Sequence, residues 1–473
     1  MTKLDAADLI ENRTFDEIAI GDTASLTHRL SKADIELFAF LSGDVNPAHL
    51  DEQFATRSLF KHVVAHGMWT GALISAVLGT KLPGPGTIYL SQDLHFWRPV
   101  GVGDTITVSV TAREKRPEHH VVVFDCQGIN QTGEKVITGI AEVRAPTEKI
   151  RRLRTELPEV QLRHHEGYHH LIERCRTLDP IRVAVVHPCD APSLAGAIDA
   201  AEAGLITPIL IGPETKIRTS AATADLDITR YRVVATAHSH AAAAQAVALV
   251  RAGEADAIMK GSLHTDELMH EILAGEAGLR TSRRVSHVYV MDVPAYGKPL
   301  LITDAAINIV PTLSDKQDIC QNAIDLAHIL GISAPKVAIL SAVETINDKL
   351  VSTVDAAALC KMAERGQITG GTIDGPLAFD NAVNPEAART KGIQSAVAGY
   401  ADILVVPDLE AGNMLAKQLS FLAGADAAGI VLGVRVPVIL TSRADSLRTR
   451  LASCAVAVLI ADSRQRAPAI SAG

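Results

Sequence analysis

Several common signatures are missing from this 473-residue sequence. Its six cysteines lack Cys-x-x-Cys spacing, which argues against a zinc site and favours reduced thiols in a cytoplasmic protein over disulfides. No Gly-x-Gly-x-x-Gly string and no Gly-Lys-Ser or Gly-Lys-Thr phosphate loop occurs, which argues against dinucleotide or ATP binding. No uninterrupted apolar run has membrane-spanning length, and the acidic start MTKLDAADLIENRTFDEI does not have the pattern of a signal peptide.

Excess positive charge is also missing. The formal net charge of −9 and the pI near 6.1 argue against a nucleic-acid-binding surface. The basic, histidine-rich run over 149–170 is the exception, and its polarity indicates a charged, solvated linker rather than a binding patch or a metal site. With 47% hydrophobic residues, the chain is typical of a well-buried globular protein, and its length predicts two to four domains.

The most informative string is FLSGDVNPAHL, which places Asp44 and His49 five positions apart around the Asn46-Pro47 turn. An acid and an imidazole that converge on one water can move the protons needed to hydrate a carbon–carbon double bond. The alternative is that Asp44 or Asn46 only caps a turn or a helix, as Asp and Asn before Pro often do. The string alone leaves both interpretations open.

The segment from Val63 to Gly79 favours the chemical interpretation. Its small and apolar residues predict a buried helix entered through His66 and Gly67, whose free backbone N–H groups suit a developing oxyanion. Alternating strands follow, including HHVVVFDCQGIN and KVITGIAEVRA joined by the polar turn QTGE. One long helix and several antiparallel strands within about 150 residues predict a single α+β domain.

These strings resemble the MaoC-like hydratases, hot-dog-fold enzymes that include R-specific enoyl-CoA hydratase, from about Phe15 to about Ala145. The resemblance implies that Asp44 and His49 are the catalytic pair and that the Gly67 N–H binds the thioester carbonyl. It also implies a supporting role for Ser75, although a helical serine often bonds only a carbonyl one turn back. Asn46 is a candidate substrate-binding residue in the same string.

From about Asp179 the pattern changes to alternating strands and helices. Continuous apolar strands such as IRVAVVH, LITPILIG and ADAIMKG alternate with helical segments, which predicts a parallel sheet covered on both faces. Ligands bind beyond the carboxyl ends of such strands. Hydroxyl, amide and charged side chains follow several of them, as in KGSLHTDEL and DLEAGNMLAK, where a small anion could be held.

This region resembles the phosphate acetyltransferase and phosphate butyryltransferase family over roughly His165 to Asp462. The matching strings are KGSLHT, GLRTSRRVSHV, ITDAAINIVPT, AILSAVE, TIDGPLAFDNAV, DLEAGNMLAKQL and LTSRADS, and three of them favour the butyryl branch. The resemblance implies a two-lobed fold akin to isocitrate dehydrogenase and exchange of a short acyl group between CoA and phosphate. It places the family's serine–arginine pair on Ser442 and Arg443, whose guanidinium can bond two phosphate oxygens at once.

The sequence does not decide which residue is the base that activates the CoA thiol. In acetyltransferases an aspartate a few residues past the serine–arginine pair has this role, but the equivalent spacing here reaches Thr449. Asp445 and Asp304 are the two candidates. Further candidate ligands for phosphate or substrate are charged or amide side chains near strand ends: Arg280, Arg283, Arg284, Asn413 and Lys417.

The resulting prediction is a bifunctional enzyme of CoA thioesters. Residues 1–148 form the hydratase domain, 149–164 a linker, and 165–473 the transferase, with one lobe from 165–310 plus 435–473 and the other from 311–434. The substrates are acyl-CoA and phosphate, with no permanently bound cofactor, no metal, no nucleic acid and no membrane. The resemblances also imply a homo-oligomer.

Two alternatives remain. One half could be non-catalytic and serve as a CoA-binding or oligomerisation module. An isocitrate-type dehydrogenase is the third interpretation, but the scattered Asp374, Asp380 and Asp402 do not make the acidic cluster that its metal needs.

Overall fold

The computed structural model describes residues 9–153, 155, 158, 160, 166–440 and 445–466. The chain separates into two compact units, residues 1–162 and 163–473. Each is described by itself.

The N-terminal unit is a five-stranded antiparallel sheet with one long helix packed on it. Its strand order is β2-β4-β5-β6-β3, so β2 and β3 are the two edges. A separate short ladder pairs β1 with β7. The elements are β1 (Leu9–Glu11), β2 (Thr23–Arg29), α1 (Lys32–Ser42), α2 (Pro47–Leu50), α3 (Glu52–Arg57), α4 (Gly67–Thr80), β3 (Ile88–Phe96), β4 (Thr105–Arg116), a 3₁₀ turn (Glu118–His120), β5 (Val121–Ile129), β6 (Lys135–Arg144) and β7 (Arg151–Leu153).

Strict alternation explains how this sheet forms its core. In β4 the side chains of Ile106, Val108 and Val110 point to one face and are fully buried, while their neighbours are partly exposed. They form one core cluster with apolar residues of α4 such as Ile74 and Leu78. The predicted strands on either side of QTGE are β5 and β6, and the hot-dog fold is confirmed.

The C-terminal unit is built on one 11-stranded sheet with helices along it. Its elements are α5 (Glu166–Cys175), β8 (Ile181–Val186), α6 (Ala191–Glu202), β9 (Ile206–Gly212), α7 (Glu214–Thr223), β10 (Arg232–Ala235), α8 (Ser239–Arg251), β11 (Ala257–Lys260), α9 (Thr265–Ile272), β12 (Ser286–Asp292), β13 (Leu300–Thr303), α10 (Leu313–Ile329), β14 (Lys336–Leu340), α11 (Val351–Glu364), β15 (Thr372–Leu377), α12 (Phe379–Val383), α13 (Pro385–Thr390), β16 (Ile403–Val405), α14 (Leu409–Phe421), β17 (Asp426–Leu432), β18 (Val438–Ile439) and α15 (Leu447–Arg466).

The sheet contains two parallel blocks that run in opposite directions. The first block, β10-β9-β8-β11-β18, is parallel throughout, and so is the second block, β13-β16-β14-β15. Between them β17 is antiparallel to both β18 and β12, and β12 is antiparallel to β13. The α/β class is confirmed, but the sheet is mixed rather than wholly parallel. The carboxyl ends of the two blocks therefore lie at opposite ends of the strands.

The finer domain boundaries remain predictions. Residues 151–153, assigned from sequence to the linker, pair as β7 with β1 of the N-terminal unit. The sheet continues across the predicted division into two lobes, since β17 of the second predicted lobe pairs with β12 and β18 of the first.

Candidate functional site

A turn at the end of α1 holds Asp44. The helix ends at Gly43, whose φ of 73° is the left-handed conformation that favours glycine, and the Gly43 N–H donates to the Ala39 carbonyl. The Asp44 carboxylate accepts from the Asn46 N–H at 3.2 Å and is exposed. The Asn46 side chain caps the one-turn helix α2 by accepting from the Ala48 N–H at 3.1 Å. Both capping alternatives are therefore present, and the Asp44 carboxylate also lies next to two imidazoles.

His49, in the last turn of α2, is held in one tautomer. Its Nδ1 lies 2.8 Å from the Val64 carbonyl oxygen, which can only accept, so Nδ1 carries the proton. Nε2 then carries the free lone pair that a base needs. One carboxylate oxygen of Asp44 and one ring nitrogen each of His49 and His66 lie within 4.8 Å of one another. The predicted pair is thus brought together.

His66 is a member of this cluster that sequence reasoning did not select. It is buried, its Nε2 donates to the Asp44 carbonyl at 3.0 Å, and its ring centroid lies 3.9 Å from that of His49. It therefore holds the Asp44 backbone and the His49 ring in place relative to one another. Its place directly before Gly67, at the entry of the predicted helix, was the available signal.

Gly67 begins α4 directly after His66, so its backbone lies beside the cluster. No side chain caps this helix end, and a Cβ at position 67 would come within 3.2 Å of the Phe96 ring at the end of β3. Ser75 lies eight residues further along α4, about 12 Å by helix rise, and is exposed. The structure does not bring Ser75 into the Asp44–His49 cluster.

A depression of about 410 Å³ opens beside His49. Its lining combines apolar side chains, including Leu50 and Val63, with two lysines and two glutamates: Lys32, Lys61, Glu36 and Glu52. The Glu52 carboxylate lies 3.7 Å from the Lys32 ammonium, so positive and negative charges balance here. The apolar part of the wall suits an acyl chain.

In the C-terminal unit, chemistry-bearing residues follow the first parallel block. β18 leads into the segment 441–444, so the predicted Ser442 and Arg443 lie outside the described residues. The neighbouring strands β8 and β11 end at His187 and at the Gly261-Ser262 turn. The Ser262 hydroxyl lies 2.8 Å from the His187 carbonyl oxygen and 3.3 Å from its Nδ1. The sequence analysis quotes the strings that contain these residues, IRVAVVH and KGSLHTDEL, but selects neither His187 nor Ser262 as a site residue.

Asp304 lies elsewhere. It follows β13, the first strand of the second block, and is therefore at the opposite end of the strands from the carboxyl ends of β8, β11 and β18. Its buried carboxylate accepts from the backbone N–H groups of Ala306, Ile307 and Asn308 and from the Asn308 amide. Burial raises the pKa of Asp304, which these hydrogen bonds oppose. Its contacts are those of a loop anchor.

The candidate phosphate ligands before β12 lie at the same end as Asp304. Arg280 donates to the Leu273 carbonyl at 2.7 Å, and Arg283 pairs with Asp325 at 2.5 Å. Arg284 donates to the Asn308 side chain at 2.7 Å, joining the Asp304 loop. These bonds give all three arginines structural partners.

Asn413 and Lys417 lie on α14, which packs beside the same loop. The Asn413 amide donates to the Ala305 carbonyl at 3.2 Å, whereas Lys417 is exposed. Asp445 lies two residues before α15 and, of the two predicted bases, is the closer in sequence to Ser442. Its charge reaches Tyr289 on β12: burial is the larger cause that raises the pKa of Tyr289, and the Asp445 charge is the second.

His287 on β12 makes the stability of this unit depend on pH. It is fully buried against Tyr289 with ring centroids 4.4 Å apart, and burial lowers its pKa to about 3. An unfolded histidine takes up a proton below about pH 6.5, whereas folded His287 does so only near pH 3. Unfolding therefore binds a proton in this window, and the stability falls as the pH falls, by at most about 1.4 kcal/mol per pH unit.

We expect His287→Gln to remove this contribution. Denaturant midpoints of the C-terminal unit, measured between pH 7 and pH 4.5, should depend less steeply on pH in the variant than in the wild type. His270→Gln, at an exposed position on α9, is the matched control and should keep the wild-type slope. An unchanged slope in His287→Gln would contradict the assignment.

None of the helices among the described residues combines the length and the apolar character needed to cross a membrane.

Two family models match the chain. The model described as "MaoC like domain" matches residues 18–129, and the model described as "Phosphate acetyl/butaryl transferase" matches residues 234–458. The first covers the Asp44–His49 cluster, and the second extends from the end of β10 into α15. Both predicted resemblances are confirmed.

Individual proteins resemble the transferase region over nearly their whole length. A phosphate acetyltransferase of Rhizobium meliloti is 65% identical over 305 residues, covering 64% of this chain and 96% of that protein. A phosphate butyryltransferase of Clostridium acetobutylicum is 40% identical over 299 residues, covering 63% and 99%. Among solved structures, a branched-chain phosphotransacylase from Enterococcus faecalis V583 shares 32% identity with a TM-score of 0.53, covering 59% of this chain and 99% of that chain. The chain therefore belongs to the phosphate acetyl/butyryl transferase family and carries a MaoC-like domain ahead of its transferase region.

Proposed function

We propose that the N-terminal unit hydrates a trans-2-enoyl-CoA to the (R)-3-hydroxyacyl-CoA, reversibly. The observation that carries this proposal is the convergence of the Asp44 carboxylate with a ring nitrogen of His49, whose Nδ1 is bonded to a carbonyl, beside the uncapped start of α4. Asp44 and His49 orient a water, remove its proton and deliver a proton to the α-carbon. The Gly67 N–H stabilises negative charge on the thioester oxygen, a contribution typically worth about a hundredfold to a thousandfold in rate.

The C-terminal unit, we propose, transfers a short acyl group between CoA and inorganic phosphate. Family membership and the carboxyl ends of the first parallel block support this activity, with Arg443 binding phosphate and Ser442 donating to the acyl carbonyl or the departing thiolate. Three of the matching strings favour the butyryl branch, but we propose acetyl as the acyl group because identity is higher with the acetyltransferase relative than with the butyryltransferase. We assign no ligand role to four sequence candidates, Arg280, Arg283, Asn413 and Lys417. The first three have structural partners at the other end of the strands.

We propose that the hydratase unit forms a homodimer through its edge strand β3. Among the described strands this edge strand pairs with β6 alone, and it leaves Ile88, Leu90 and Phe96 exposed, with Trp97 directly after it. Unpaired backbone groups beside exposed apolar side chains form a surface that a second strand covers well. A second copy of the same edge supplies both the hydrogen bonds and the apolar area. Because Phe96 faces Gly67, the interface would adjoin the catalytic cluster.

A cytoplasmic location completes the proposal. All six cysteines are free, four of them buried, which suits a reducing compartment.

The full chain should show both activities in separate assays. Loss of the conjugated enoyl absorbance of crotonyl-CoA measures hydration, and phosphate-dependent release of CoA from acetyl-CoA or butyryl-CoA measures transfer. Ser442→Ala should lower only the second rate. A chain that hydrates crotonyl-CoA but releases no CoA from any short acyl-CoA would instead favour the alternative in which the transferase half is a CoA-binding module.

A further inference from the structure

Two aspartates, Asp304 and Asp445, are the sequence candidates for the base of the transferase. Asp304 is occupied as a loop anchor at the far end of the strands from β8, β11 and β18. At the near end, two adjacent parallel strands place His187 after β8 and Ser262 after β11. We infer that His187 is the general base that takes the proton of the CoA thiol, and that Ser262 positions it. This inference rests on the proposed acyl transfer.

Hydrogen bonds fix the tautomer of His187. The Ser262 hydroxyl has one proton, and its shortest bond, 2.8 Å, is to the His187 carbonyl oxygen, which can only accept. The Ser262 oxygen then accepts from the Cys189 N–H at 3.2 Å and from His187 Nδ1–H at 3.3 Å. With the proton on Nδ1, the lone pair of His187 is on Nε2. Among the described residues Nε2 has no hydrogen-bond partner, and it is not a buried, unsatisfied atom.

The backbone around His187 is rigidly placed. His187 has φ of 55°, an uncommon conformation for a residue with a side chain, and its N–H donates to the Ile211 carbonyl on β9. On the other side Gly261 donates to the Val186 carbonyl, and a Cβ on Gly261 would lie 2.3 Å from that oxygen. Only glycine fits this approach, so β11 holds the His187 turn from one side and β9 from the other.

The electrostatic surroundings keep the imidazole neutral and ready to accept. Burial first and the Lys216 ammonium second lower the pKa of His187, while the Ser262 bond and the Glu267 carboxylate oppose the shift. At neutral pH the ring is therefore unprotonated, as a base must be. A nearby cation also favours the thiolate that forms when the proton leaves.

The proposed transfer from acyl phosphate to CoA needs no further reactant. The CoA S–H proton moves to His187 Nε2, the thiolate sulfur attacks the acyl-phosphate carbonyl carbon, and the bond from that carbon to the phosphate oxygen breaks. Thioester and phosphate leave, and the imidazolium returns its proton to solvent. In the reverse direction the imidazolium protonates the departing thiolate.

His187→Gln tests the inference in the full chain, assayed from acetyl phosphate and CoA. We expect kcat to fall by about a hundredfold or more at pH 7 with KM for CoA changed less than about threefold. Because solvent alone ionises more thiol as pH rises toward about 8.5, the deficit should shrink by roughly tenfold between pH 7 and pH 8.5. In His187→Gly, which suits the positive φ, added imidazole should restore part of the rate.

The controls separate a base from a structural residue. His270→Gln should leave transfer unchanged, and the denaturant midpoint of the C-terminal unit in each variant reports that this unit is folded. An equal loss at every pH without imidazole rescue, or full activity of His187→Gln, overturns the inference. Ser262→Ala should lose less rate than His187→Gln; an equal loss with an acyl-serine detected by mass spectrometry would make Ser262 a nucleophile instead. A wild-type chain without transfer would refute the proposed function itself.

Discussion

Asp44→Asn should lower kcat for crotonyl-CoA hydration by about 10²- to 10⁴-fold while leaving phosphate-dependent CoA release within about twofold. The amide keeps the shape of the carboxylate and can still accept from the Asn46 N–H, so the turn after α1 is preserved. What is lost is the ability to take and return a proton. Steady-state kinetics of both reactions on one preparation measure the two outcomes together.

Asp51→Asn is the matched control for this change. Asp51 is also exposed and caps α3 by accepting from the Phe54 N–H at 2.9 Å, a role that asparagine performs equally well. It should therefore retain wild-type hydration. The double change Asp44→Asn with His49→Gln should cost little more than either alone, because the two groups act on one water. Hydration above about a third of the wild-type rate in Asp44→Asn would contradict the assignment.

The hydratase cluster was largely predictable because its members are close in sequence. Asp44 and His49 lie within one turn, and Gly67 follows at the start of the next long helix, so local geometry brings them together. His66 was not predicted because its role depends on a ring stacked on His49 and a bond to the Asp44 carbonyl, which are contacts across 17 and 22 residues. Nothing in the local pattern distinguishes such a histidine from an ordinary helix cap.

The site of the transferase region was harder to predict from sequence, because it depends on the directions of the strands in the sheet. Apolar runs identify strands but not their directions, and the sequence pattern predicted a parallel sheet, in which all carboxyl ends lie on one side. The antiparallel run of β18, β17, β12 and β13 reverses the second block, which places Asp304 and the arginines before β12 away from the carboxyl end of β18. His187 and Ser262 become neighbours only because β8 and β11 are adjacent although 70 residues apart in sequence.

The second large effect concerns the edge of the hot-dog sheet. We expect the double change Ile88→Lys and Leu90→Lys to halve the oligomer mass measured by light scattering, starting from a multiple of the 50.2 kDa chain. Each unpaired ammonium buried against a partner strand costs about 3 to 5 kcal/mol, which weakens association by roughly 10²- to 10³-fold or more. Both residues are exposed on the single chain, so the fold of each copy should survive.

The rate of hydration should also fall when the dimer dissociates. Phe96 at the end of β3 faces Gly67 at the start of α4, so loss of the partner strand exposes that helix end to water. The N–H of Gly67, the proposed donor to the thioester oxygen, would stabilise that oxygen less in a water-filled site than in an enclosed one, since the effective dielectric constant is higher. We expect kcat/KM for crotonyl-CoA to drop at least tenfold, an effect of about 1.4 kcal/mol, and to recover partly at high protein concentration. Leu422→Lys, at a more exposed apolar position in the C-terminal unit, should change neither mass nor hydration. A β3 variant that keeps both the wild-type mass and the wild-type rate would show that this edge is not the interface that completes the catalytic cluster.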